Sequence, residues 1–160
     1  MSAADDARLP MDSDPSELGR PPRAVHLRPR YLAVVFVGGA AGTAAREAVS
    51  LTVPALPGLP EIPVTILAIN VVGAFLLGLL LEALVRRGPD QGVRRLVRLL
   101  LGTGFCGGFT TYSSLATATA VLLAQGAAGA GVLYALGTVL AGAVASWAGI
   151  AVGALGRRPT

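Results

Sequence analysis

The chain has no lysine, one histidine, one cysteine and one tryptophan, and only 14% of its 160 residues are charged. Each shortage removes a class of chemistry. A single cysteine, Cys106, excludes an intrachain disulfide, and with His26 the sole histidine there is no Cys/His cluster for a transition metal. His26 lies in a proline-rich N-terminal stretch, so no nucleophile–base pair is available. No phosphate-binding loop of the Walker type is present either. Carboxylates are missing where a proton relay through a membrane would need them, because Glu47 and Glu82 stand near the ends of apolar stretches. These absences argue against an enzyme and against a proton-coupled pump.

What is present is apolar, 53% of the chain. It falls into four stretches, 31–51, 62–85, 96–124 and 132–155, with Pro60 and Pro63 marking the start of the second and 126–131 forming a short turn before the fourth. About 20 apolar residues cross roughly 30 Å of hydrocarbon as a helix. The pattern predicts an all-α membrane protein with four transmembrane helices. The third stretch is longer than a span requires, and its centre reads GTGFCGGFTTYSS over 102–114. Glycines followed by paired β-branched threonines predict a helix broken at mid-membrane, where backbone is tolerated only against protein or a water-filled cavity. A continuous, flexible glycine-rich helix is the other reading. Residues 1–30 hold five acids, five arginines and five prolines and read as a disordered cytoplasmic tail. They lack the order of a signal peptide, and Met1 or Met11 suits them equally as a start. Residues 31–156 then form the transmembrane domain and 157–160 a short cytoplasmic C-terminal tail.

All thirteen basic residues are arginine. Five precede Tyr31, five lie between Arg86 and Arg98, two are Arg157 and Arg158, and only Arg46 stands apart. They flank apolar runs rather than alternating with aromatics on a polar surface, so the basic balance points to anionic lipid and not to nucleic acid. The connections at 52–61 and 125–131 carry no arginine. By the positive-inside rule, four spans with both termini cytoplasmic is the one arrangement that fits.

Polar residues inside the stretches are few. Arg46, near the outer end of the first, reads as a snorkelling side chain or as a fixed charge drawing anions to a vestibule. Asn70, about nine residues into the second, reads as an interhelical hydrogen bond or as an amide donor turned toward a passing anion. The segment GGFTTYSS (107–114) offers freed carbonyls for a hard cation such as sodium, and hydroxyls on Thr110, Thr111, Tyr112, Ser113 and Ser114. Tyr134, Thr138, Gly142 and Ser146 recur at every fourth position of the last stretch, as small-residue packing or as a polar track along a pore.

Three blocks in this order, GGAAGTAAR (38–46), TILAINVVGAFLLG (65–78) and GFCGGFTTYSS (104–114), resemble the CrcB/Fluc fluoride channels over residues 31–156. The resemblance implies an antiparallel dimer in the cell membrane that lets fluoride leave passively, with a structural sodium ion at the dimer centre. By the same resemblance, the carbonyls of Gly107 and Thr110 hold that ion. Asn70, Thr111, Tyr112, Ser113 and Leu115 line the fluoride path, and Arg46 is the vestibule charge. The family's third span typically carries two phenylalanines three residues apart; here those positions are Tyr112 and Leu115, so one ring is missing. The arginine bias should also insert the chain one way only. Together these favour a heterodimer with an oppositely oriented homologue over a homodimer that tolerates the bias and conducts past Tyr112 and Leu115. A small multidrug or cation exporter is the alternative with four helices and antiparallel dimers, but it needs a carboxylate in the first span, and 33–44 contain none. A membrane assembly factor would not need an ion-holding segment at 107–114.

Overall fold

A computed structural model describes residues 28–52 and 63–156. The first connection, most of the N-terminal tail and the C-terminal arginines lie outside the described residues. Within them the chain is helical with no strand. The elements are α1 (Pro29–Thr52), α2 (Val64–Arg86), α3 (Gly92–Val97), a π-helical segment (Arg98–Cys106), α4 (Gly107–Phe109), α5 (Tyr112–Ala124) and α6 (Ala128–Ala154). Three helices, α1, α2 and α6, are long and apolar enough to cross a membrane. The stretch 92–124 is assembled from shorter pieces. α1 starts at Pro29, where proline suits the first helical turn because its missing N–H would have no partner there.

The last turn is shorter than its glycines suggest. Gly126 adopts φ +78°, its N–H bonds the Leu123 carbonyl, and the Ala127 N–H reaches Leu122. This is a Schellman closure of α5. One left-handed glycine is enough, so α6 begins at Ala128 and takes Gly129 and Gly131 into the helix. A β-carbon at Gly129 would meet nothing within 4 Å. Gly129→Ala is therefore expected to raise the unfolding temperature in detergent, by up to about 1 kcal/mol of helix propensity.

Few side chains are buried. Ile69 and Leu122 are the largest that are fully so, while Phe36, Val85, Leu133, Val144 and Trp147 point outward. Apolar residues facing out over whole helices are what a bilayer solvent permits. Helices instead approach through glycine, the general device where lipid removes the hydrophobic drive for association. On α1, a β-carbon at Gly38 would strike the Leu100 carbonyl and one at Gly42 the Phe105 carbonyl; from the other side, one at Gly108 would strike the Gly39 carbonyl. α2 and α6 meet the same way, Gly78 against Ser146 and Gly149 against Phe75.

These contacts fix which ends lie together. Tyr31 and Leu32 of α1 share a groove with Asp90, Arg95 and Arg98, and Gly153 near the end of α6 packs on Glu82. The start of α1, the α2–α3 connection and the end of α6 thus form one end of the molecule. Asp90 organises it: Arg98 donates to its two carboxylate oxygens at 3.0 and 2.8 Å, and Arg95 donates to its main-chain carbonyl at 2.7 Å. The Arg98 hydrogen bonds, aided by the charges of Arg98 and Arg95, hold the Asp90 carboxyl below its ordinary range. At the opposite end, the Tyr134 hydroxyl donates to the Pro63 carbonyl at 3.5 Å.

Candidate ion site at the helix interruption

α4 stops at Phe109 and α5 starts at Tyr112, and the two threonines between them are extended (Thr110 φ −77°, ψ 157°; Thr111 φ −147°, ψ 116°). Two β-branched residues in succession favour this backbone. Each threonine also closes a helix end. The Thr110 N–H and hydroxyl both donate to the Cys106 carbonyl, at 3.0 and 2.8 Å. Thr111 caps α5, its hydroxyl oxygen accepting the Ser114 N–H at 3.2 Å and lying 3.0 and 3.1 Å from the Ser114 and Ser113 hydroxyls. A side-chain oxygen at this position satisfies an orphan donor of the first turn.

Asn70 of α2 holds the interruption from across the fold. Its Nδ2 donates to the Thr111 carbonyl at 3.0 Å, and its Oδ1 accepts the Thr111 N–H at 2.8 Å. The amide thus satisfies both main-chain polar groups of one extended, buried residue, as a neighbouring strand would. One N–H of the amide is left over. Gly73, one turn further along α2, makes room, since a β-carbon there would collide with Cγ2 of Thr110.

Asn70, Gly73, Thr110, Thr111, Tyr112, Leu115 and Thr138 line one cleft of about 330 Å³. Among the described residues no charged side chain lines it. Of the residues singled out from sequence, the structure brings Asn70, Thr110, Thr111, Tyr112, Leu115 and Thr138 together there. Gly107 and Ser113 are exposed beside the interruption, and Arg46 is half-buried near the far end of α1. The stripe on α6 does not run through the cleft as a unit. Tyr134 is buried against Leu115 and Leu122, with its hydroxyl toward Pro63, and the Ser146 main chain packs on Gly78. Only Thr138 and Gly142 of that stripe reach the cleft. Spacing places residues on one face, but α2 covers part of that face. The close contact that Gly73 and Gly78 suggest from sequence is present at both glycines; the role of Ser114 in the cap was missed, and a serine three residues after a threonine at a helix start is the signal that was there to use.

Tyr112 and Leu115, the two positions expected to carry aromatic contacts, face different ways. Tyr112 is 81% exposed, whereas Leu115 is 7% exposed and belongs to the chain's own core. Tyr112 is free to reach beyond this chain; Leu115 presents only part of its side chain to the cleft.

Residues 33–150 match the family model described as CrcB-like protein, Camphor Resistance (CrcB). The chain is 54% identical over 130 residues to Fluoride-specific ion channel FluC 2 of Leifsonia xyli, a match covering 81% of this chain and 88% of that one. It is 46% identical over 124 residues to Fluoride-specific ion channel FluC 1 of Cutibacterium acnes, covering 78% and 85%. It is 42% identical over 120 residues to Fluoride-specific ion channel FluC of Gloeobacter violaceus, covering 75% and 93%. With the match spanning its helices and its interruption alike, the chain belongs to the CrcB family of multi-pass membrane proteins, a family of ion channels and not of enzymes.

Proposed function

We propose that the chain is a subunit of a fluoride-selective channel that lets fluoride leave the cell passively and so lowers cytoplasmic fluoride. The observation that carries this reading is the uncharged cleft at the interruption, lined by Asn70, whose amide keeps one N–H, and by Tyr112, whose hydroxyl makes no hydrogen bond among the described residues. Fluoride is small and strongly hydrated, so a path for it must replace water with donors yet hold the ion weakly enough to release it. Neutral donors meet both demands. A charged side chain directly on the path would bind too tightly, and Arg46 stands away from the cleft, where its charge raises anion concentration at the entrance instead. The exposed edge of the Tyr112 ring, electropositive like any aromatic edge, adds a further weak contact.

The residues at the interruption suit a structural sodium ion. Among the described residues the Thr110 carbonyl receives no hydrogen bond, and a β-carbon at Gly107 would meet nothing within 4 Å. Carbonyl oxygens without a helical partner are the donors a hard cation takes, and the Thr111 N–H that would bond the Gly107 carbonyl goes to Asn70 instead. Gly107 and Thr110 would hold it, and a resident cation there lowers the cost of bringing an anion nearby. Two carbonyls are too few for such an ion, which supports a second subunit contributing its own pair across an antiparallel interface.

The reading also sets orientation and partner. The arginine-rich end faces the cytoplasm with both termini, and the whole chain crosses the cell membrane four times. One-way insertion, with a leucine at position 115, favours a homologous partner of opposite orientation. A reporter fused to the C-terminus of the chain expressed alone is expected to locate only to the cytoplasm. Dual insertion together with selective fluoride flux would overturn the heterodimer. For the function itself, liposomes holding the purified channel are expected to release fluoride to an electrode at least about tenfold faster than chloride, a barrier difference of roughly 1.4 kcal/mol. Equal fluxes would sink the assignment.

A further inference from the structure

We propose that the arginine-rich end of the protein binds one anionic diacyl phospholipid, its phosphate on Arg95 and Arg98 and its two acyl chains in two grooves that part at Arg98. The first groove, about 690 Å³, lies between α1 and the π-helical segment and is walled by Leu32, Val35, Phe36 and Leu99. The second, about 390 Å³, lies along the end of α2 and is walled by Leu81, Leu84 and Val85. Asp90 and Arg98 line both, Arg95 the first alone and Arg94 the second alone.

This geometry selects a particular occupant. A single-chain amphiphile or a peptide segment needs one groove and one anchor. Two apolar grooves diverging from one guanidinium match a molecule with two hydrocarbon chains on one charged head. Charge complementarity points the same way. Among the described residues three guanidinium groups, Arg94, Arg95 and Arg98, meet a single carboxylate, Asp90, so the junction carries excess positive charge. Arg98 spends its Nε and one Nη on Asp90, and its planar guanidinium keeps donors for a bidentate acceptor such as the two free oxygens of a phosphate. The junction also sits where the helices end, at the level of lipid head groups. The inference needs only the membrane location, and it stands or falls independently of what the cleft conducts.

The test is native mass spectrometry of the full chain in mild detergent, titrated separately with dioleoyl phosphatidylglycerol, dioleoyl phosphatidylcholine and the single-chain lysophosphatidylglycerol. One phosphatidylglycerol is expected to be retained at least about tenfold more tightly than either of the others, the scale of one charge-assisted hydrogen bond. Arg98→Gln should erase that preference. Val35→Trp, which fills one groove without touching a charge, should weaken phosphatidylglycerol while leaving the helical circular dichroism intact. Asp90→Asn, which removes the competing carboxylate, should tighten it by a similar factor, an outcome that a purely structural Asp90 would not produce. Equal retention of the three lipids, or a phosphatidylglycerol preference unmoved in Arg98→Gln and in Asp90→Asn, overturns the proposal. So does phosphatidylglycerol binding that appears only after residues 1–27 are deleted, which would assign the grooves to the acidic tail, or binding seen only in monomers and lost on dimerisation, which would assign them to a second copy.

Discussion

Asn70→Leu is expected to lower fluoride efflux about a hundredfold or more, equivalent to roughly 2.7 kcal/mol of barrier. It is also expected to destabilise the protein in detergent by about 2–4 kcal/mol. The size follows from what the amide does. Leucine removes the donor to the Thr111 carbonyl and the acceptor for the Thr111 N–H together. Thr111 is 7% exposed, so no water replaces them, and an orphaned buried polar group costs about 1–3 kcal/mol. The extended backbone that sets out the neighbouring carbonyls then loses its restraint. Asn70→Asp separates the two bonds. At neutral pH its carboxylate still accepts from the Thr111 N–H but turns a second oxygen on the Thr111 carbonyl. Once protonated by acidification the carboxyl can donate there, so part of the lost thermal stability should return at low pH for Asp and none for Leu. Wild-type unfolding temperature and flux in Asn70→Leu would show that the clamp carries no weight.

Gly42→Ala should be nearly as severe, although it adds one methyl group. The new β-carbon would collide with the Phe105 carbonyl oxygen and lie 2.9 Å from the Phe105 carbonyl carbon and the Phe109 nitrogen. All three are main-chain atoms, so no rotamer change relieves the contact and α1 must move off the π-helical segment. Overpacking of this kind costs about 1–3 kcal/mol, with main-chain contacts at the upper end. The displacement also reaches the site, because Gly39 and Thr43 of α1 pack on and hydrogen-bond to Gly108, just before the interruption. Reduced flux should therefore accompany a lower unfolding temperature. Gly102→Ala is the matched control, since its β-carbon would meet only leucine methyl groups at 3.6 Å or more. If the two variants unfold alike, the glycine seam is not what seats α1.

The helical class, the membrane location and the family were legible because each rests on local or cumulative properties. Runs of about 20 apolar residues have one use in a bilayer, where every main-chain polar group must be satisfied within its own helix. The extended backbone of Thr110 and Thr111 is likewise local chemistry, two β-branched residues placed after glycine. The π-helical form of Arg98–Cys106 was not legible, as the same residues build an α-helix equally well. The turn at 126 was misjudged in length because glycine ends a helix only where it takes up a left-handed conformation, and Gly129 and Gly131 do not.

The sequence by itself determined that this protein lives in a membrane as apolar helices with its arginines gathered at span ends. Composition and run length decide partition between water and lipid without reference to any neighbour. Only the tertiary structure decided that Asn70 belongs to Thr111, 41 positions away, that Tyr112 faces outward while Leu115 is buried, and that Tyr134 leaves the line of its helical stripe for the core. Those outcomes depend on which helix covers which face. That choice is made by glycine-to-backbone contacts between segments far apart in the chain, which no local pattern encodes.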